Sequence, residues 1–295
     1  MKKFAILLDS TCDMSKELLE RFDIDYVKMG VTFNDNTYPA SLTWDDFTPE
    51  EFYNIMKSGV RVFTNQINEP EFIEVFNKIL ADGKDILYIA CSSGLSGSVK
   101  AAQLAAEKLN AEGKGKVIAI DSLISGMGQG LLGILASELR AAEKTIDEVA
   151  ATIEAEKLKY NQWGTVADLN YLKRAGRVTA SSAFFGNLFG VKPIIISDTK
   201  GKNFAYKKVK GRKSSIDELI ESVIRTSVDS ENHIVAITHA DAEEDALKVK
   251  EGLIARGYKC KEFIISNLGP ILGASCGPQT LIAYNYGTEV TICGE

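Results

Sequence analysis

Short apolar runs alternate with longer amphipathic stretches along almost the whole chain, and this alternation constrains the fold more than any other feature. Runs at 4–8, 86–90, 117–120, 163–166, 194–197, 234–238, 263–266 and 289–292 read as strands. Between many of them, apolar residues recur at helical spacing, over 49–57, 71–81, 99–109, 130–142, 146–157, 216–228 and 242–256. Thr48-Pro49-Glu50-Glu51 is a helix start signal, with a capping threonine, proline at the first helical position and glutamate three residues after the cap. Strand–helix–strand alternation predicts βαβ units and mainly parallel pairing in the first half. The second half differs: 191–197 and 203–209 flank Asp198-Thr199-Lys200-Gly201, a hairpin pattern that predicts a mixed sheet.

A chain of 295 residues is comfortable for two domains. The expected fold class is therefore two-domain α/β. Residues 1–158 form a three-layer α/β/α unit with a mainly parallel sheet. Residues 159–295 form a two-layer α/β unit with a mixed sheet, its final residues returning toward the first unit. No Pro/Ser-rich linker separates the two, so they are expected to pack directly.

The net charge of −6 disfavours nucleic-acid binding, which needs a basic face. The apolar run at the start ends at Asp9, too short for a signal-peptide core, and no segment approaches the length of a membrane span. Five scattered cysteines form no C-x-x-C pair, and only two histidines occur. Structural zinc and disulfides are disfavoured, and a cytoplasmic location without metal is expected.

The segment with most chemical potential is Ser92-Ser93-Gly94-Leu95-Ser96-Gly97, between an apolar strand and a helix. The carboxyl end of a parallel strand facing a helix N-terminus is where α/β sheets bind ligands. Glycine-rich backbone and the helix dipole both favour an anion there. Two further strand ends carry Asp-Ser, at Asp9-Ser10 and Asp121-Ser122. Their aspartates are expected to cap turns or bond backbone N–H groups, since they would repel an anion.

Other motifs are set aside. Gly128-Gln129-Gly130-Leu131-Leu132-Gly133 matches a dinucleotide fingerprint, but the acidic residues about 20 positions on fall on a helix rather than a strand end. Close helix–sheet packing is the better reading. Gly273-Ala274-Ser275-Cys276-Gly277 matches a hydrolase elbow, but no histidine follows the serine. No Walker motif is present. Five cations crowd Lys207–Lys213, including Lys210 and Arg212, and read either as a solvated hairpin end or as a docking patch. Phe184, Phe185 and Phe189 read either as domain core or as the wall of an apolar tunnel.

In this order and spacing, several segments together resemble the DegV family over essentially the whole chain. They are Asp9–Asp13, Thr64-Asn65-Gln66, Ser92–Ser98, Asp121–Gly130, Asp168–Arg177, Lys210–Lys213 and Gly269–Gly273. The resemblance implies a long-chain fatty acid as bound ligand, with no other cofactor and no catalytic residue. Its carboxylate would be held by Thr64 and Ser93, with Ser92 close by and Arg177 in the place of the family's G-G-R arginine. Ser275 stands where the family usually carries histidine, and is the substitute contact. Some members are the fatty-acid-binding subunit of a bacterial fatty acid kinase, which implies an ATP-binding kinase subunit as partner. A transferase or phosphate-ligand enzyme on the same scaffold is the alternative.

Overall fold

The computed structural model describes residues 4–180, 184 and 190–294. Three capping boxes fix helix starts, each by a reciprocal pair of side-chain-to-backbone hydrogen bonds. They lie at Thr48/Glu51 before α2 (Pro49–Lys57), Asn68/Glu71 before α3 (Glu69–Ala81) and Thr145/Glu148 before α6 (Ile146–Glu156).

The first large sheet is wholly parallel. Its order is β2 (Ile24–Val27), β1 (Phe4–Asp9), β6 (Asp85–Ala90) and β7 (Val117–Asp121). β1 and β6 are buried at every position, as continuous apolar strands covered on both faces should be. Successive residues face opposite sides of a sheet. Leu7 and its neighbour Tyr88 face α3, where Tyr88 packs on Phe72 and Phe76. Leu8 faces the other way, against Gly133 of α5 (Met127–Ala141). Helices thus cover both faces. The glycines of the dinucleotide-like motif serve close packing: a Cβ on Gly130 would lie 3.0 Å from the Cys12 carbonyl oxygen.

The second large sheet is mixed. Its order is β10 (Asn203–Lys210), β9 (Val191–Ser197), β8 (Tyr160–Thr165), β13 (Leu281–Tyr286), β11 (Ile234–His239) and β12 (Glu262–Asn267). Only β11 and β12 pair in parallel. One face, carrying Trp163, Ile194, Val235 and Leu281, packs on α8 (Gly211–Thr226) and α9 (Glu243–Ala255). On the other face Ala236, Ile264, Ile282 and Tyr284 join the core that contains α5 and the first sheet. A small antiparallel sheet, β4 (Asn36–Pro39), β3 (Gly30–Phe33) and β5 (Phe63–Asn65), completes the set.

Two expectations change. Residues 289–292 are not a strand; Thr199 N–H donates to the Ile292 carbonyl and Val290 N–H to Leu158, so the segment is held by isolated bonds. The last strand is β13, inserted between β8 and β11. The final residues pack on the β9–β10 turn, where Gly294 N–H donates to Asp198 at 3.0 Å. No helix among the described residues is long and apolar enough to cross a membrane.

Candidate functional site

A cavity of about 940 Å³ lies between the inner face of the mixed sheet and the loops of the first half. The period of two along β8 sets its floor: Gln162 and Gly164 face the cavity while Trp163 between them faces α8 and α9, and Thr165 and Val166 line the cavity where the strand ends. Gly164 lies between Ile195 of β9 and Ile282 of β13, and lacking a side chain it leaves room above the sheet. The roof comes from α10 (Pro270–Cys276) through Ile271, Leu272, Ser275 and Cys276.

The Ser92–Gly97 loop does not offer an open backbone cradle. Every amide from Ser92 to Ser98 already donates within the protein. Ser92 donates to Ile124, Leu95 and Ser96 to the Ser92 carbonyl, and Gly94 to Ser92 Oγ. Ser93 donates to Asp121 Oδ1, Gly97 to Gln66 Oε1, and Ser98 to Ser96 Oγ. The helix that follows, α4 (Ser98–Ala111), starts behind this closed network. The anion-cradle expectation is corrected accordingly, because the glycines there serve close loop packing instead. Gly94 lies against the backbone of Lys200 and Gly201, and Gly201, at φ +68°, lies against Ser92 Oγ. Asp9 and Asp121 do what their position demands. Asp9 accepts from Thr11 N, Cys91 N and the Tyr88 hydroxyl, and Asp121 from Ser93 N and Leu123 N.

The expected contacts divide. Thr64, Arg177 and Ser275 all line the cavity. Ser93 is exposed and Ser92 is buried under the β9–β10 turn; neither lines it, whereas Leu95 and Ser96 of the same loop do. Arg177 is fixed by Nε donating to the Leu95 carbonyl at 2.7 Å and Nη1 to Ala175 at 2.6 Å. This leaves Nη2 without a protein partner among the described residues, at the cavity wall. Ser275 is on α10, not on a strand-to-helix elbow, and its hydroxyl donates to Ile271 O at 3.1 Å.

Thr64, Arg177 and Ser275 also border a second, outer recess of about 890 Å³. Arg61 and Arg174 stand there, stacked over Phe63 and Tyr171 at 4.6 and 4.8 Å. The three shared residues therefore form a neck between an inner chamber and a cationic vestibule. Inside, burial pushes the Cys276 thiol up to about 12 and raises Cys91 as well, so both line the chamber as neutral groups.

The family model described as "Uncharacterised protein, DegV family" matches residues 3–284. A DegV domain-containing protein of Clostridium perfringens is 34% identical over 289 residues, which is 97% of this chain and 98% of that protein. The chain belongs to the DegV family. A solved DegV family protein from Thermus thermophilus, described for its fatty acid binding, has a TM-score of 0.88 at 24% identity. It covers 97% of this chain and 100% of its own, a likeness of fold. A Thermotoga maritima protein described as revealing a fatty acid binding function has a TM-score of 0.83 at 26% identity, covering 98% and 100%.

Within this DegV chain the remaining expected residues sit apart from the chamber or at its edge. Phe184 packs with Val166, Leu172, Ile195 and Cys276, all chamber-lining residues, and Lys208 Nζ lies 4.8 Å from its ring centre. Phe185 and Phe189 lie outside the described residues. Arg212 does not line either cavity; its Nε donates to Asp245 at 2.7 Å. Lys210 is exposed at the end of β10. Gln66, Gln162 and Asn203 line the DegV chamber without having been expected to, and Ser96 does so as part of the expected loop. Gln66 was within reach as the third residue of Thr64-Asn65-Gln66. For the other two strand residues no local signal exists, because their facing depends on pairing between distant strands.

Proposed function

We propose that this chain binds a long-chain fatty acid, with its carboxylate at the neck and its acyl tail in the inner chamber. The observation that carries this reading is the neck itself. Thr64, Arg177 and Ser275 are shared by a chamber whose wall carries the aliphatic side chains of Leu172, Ile195, Ile271, Leu272 and Ile282 and a recess rich in arginine. Burying the tail gains roughly 0.8 kcal/mol per CH₂, while an isolated buried carboxylate would be very costly. A head group at the neck meets both demands: Arg177 Nη2 and the Thr64 hydroxyl donate to it, and Ser96 and Ser275 add theirs by turning their hydroxyls from Ser98 Oγ and the Ile271 carbonyl. The fatty acid binding described for the Thermotoga maritima relative supports the same ligand class.

Residues 1–158 and 159–295 are the two domains in this proposal, and they grip the head group together, the first through Thr64 and Ser96, the second through Arg177 and Ser275. The acid is the ligand and the chain does no chemistry alone. It presents the carboxylate, through the vestibule, to an ATP-binding fatty acid kinase subunit. Five unpaired thiols fit the cytoplasmic setting such a partnership requires.

Native mass spectrometry of the purified protein, followed by lipid extraction, tests the ligand directly. A co-purified long-chain acid is expected. Arg177→Ala should weaken oleate about ten- to a hundredfold, the span of a lost hydrogen bond to a charged group. Absence of any acyl ligand, with no thermal shift on adding palmitate or oleate, would refute the proposal.

A further inference from the structure

The chamber floor is not apolar throughout. Strand register places Gln162 beside Tyr284 of β13, and the pairing of Gly164 with Ile195 places it two residues along from that contact, opposite Ser197. Ser197 in turn pairs with Asn203 of β10. A polar row thus crosses the floor at one end. Gln162 and Asn203 are 5% and 8% exposed, and they share one hydrogen bond, Gln162 Nε2 to Asn203 Oδ1 at 3.0 Å. Two side-chain amides joined by a single bond keep an unused acceptor on one and an unused donor on the other. Here these are Gln162 Oε1 and Asn203 Nδ2, with no further partner among the described residues. Ser125, 4% exposed, adds a third chamber-lining group, a hydroxyl with no partner among the described residues.

The Gln162 end of this row is set back from the neck along β8, while at its other end the Asn203 carbonyl accepts from Thr179 N–H at 2.8 Å, two residues beyond the neck residue Arg177. Val166 packs with Leu172 of α7 (Asn170–Ala175) and Cys276 of α10, next to the neck residues Arg177 and Ser275. Gln162 is four residues back along the strand direction, about 13 Å away at roughly 3.3 Å per residue. A plain methylene chain reaching it would displace water from buried donors and acceptors and return nothing to them. A site built with such groups discriminates in favour of a ligand that pairs them. A hydroxyl, which both donates and accepts, fits an unused donor beside an unused acceptor.

We propose that the Gln162–Asn203 pair, with Ser125, selects an acyl chain bearing an oxygen function away from its carboxylate, a hydroxy or oxo fatty acid. The inference rests on the fatty-acid reading and adds the polarity of the tail. The test is calorimetric titration of delipidated protein with stearate, ω-hydroxypalmitate, palmitate and hydroxystearate isomers substituted at mid-chain. At least one hydroxylated acid should bind roughly three- to tenfold more tightly than its unsubstituted parent. The double variant Gln162→Leu/Asn203→Leu should reverse that order. The ligand series on the unaltered protein decides the matter even if the double variant does not fold. Equal or tighter binding of every plain acid overturns this inference and leaves fatty-acid binding standing. Failure of all the acids to bind overturns both.

Discussion

Gly164 offers the sharpest test of where the tail lies. A Cβ built there would meet Ile195 O and an Ile282 methylene at 3.5 Å, ordinary van der Waals contact, and its backbone is not in the left-handed region. Gly164→Ala should therefore fold, and should gain slightly in stability, since glycine within a strand costs roughly 0.5–1 kcal/mol relative to alanine. Gly164→Leu extends the side chain into the chamber and takes the space of roughly four methylenes; at about 0.8 kcal/mol each, displacing them costs about 3 kcal/mol. That is a loss of a hundredfold or more in Kd for a long-chain acid, at about 1.4 kcal/mol per tenfold. A chain too short to pass Gly164 should lose little. Titrating delipidated wild type, Ala and Leu variants with decanoate, palmitate and stearate reads the chain-length dependence, and a thermal melt checks folding. If Gly164→Leu bound stearate within about threefold of wild type, the tail would not cross the β8 floor and the chamber assignment would fail.

Two more tests address neighbouring claims. Ser93→Ala should leave fatty-acid affinity within about twofold, whereas Ser96→Ala should weaken it several-fold, because only Ser96 borders the chamber; the reverse order would restore the head-group role expected for Ser93. Asp13 is buried, its Oδ2 has no partner among the described residues, and burial holds its carboxyl well above the usual carboxylate range. With a raised folded pKa, its contribution to stability is complete below the unfolded value near ~4 and is lost as pH rises through the folded value. Asp13→Asn keeps an acceptor for Gly269 N–H and tolerates φ 53°, so it should raise Tm, by more at about pH 8 than at about pH 4. A melt showing the larger gain at the acidic end would contradict that account.

The parts of the fold legible in the sequence are those whose burial leaves a local mark. β1, β6 and β7 read as apolar runs because helices cover the first sheet on both faces. The β9–β10 hairpin read from its Asp198–Gly201 turn. β4 and β5 left no such mark, being three or four residues long and largely exposed. β13 was hidden for another reason: Asn285 interrupts its apolar run. That asparagine is buried and donates to Ser227 at 3.0 Å, a partner 58 residues away. Residues 289–292 carry a strand-like pattern but find no neighbour to pair with.

For the site, the motifs placed Thr64, Arg177 and Ser275 in one functional set, and the structure brings those three to one neck. The same motifs pointed to Ser93, where folding turned a different serine of that loop inward and consumed every amide. The alternation of strands and helices is a local property, so the α/β class, the parallel first sheet and the mixed second one were legible in residue order alone. Which side chains meet across the chamber is decided by register between strands far apart in the chain, such as Gly164 opposite Ile282. A shift of one residue in that pairing would exchange Gln162 for Trp163 on the floor. No local pattern encodes that choice, and only the tertiary structure made it.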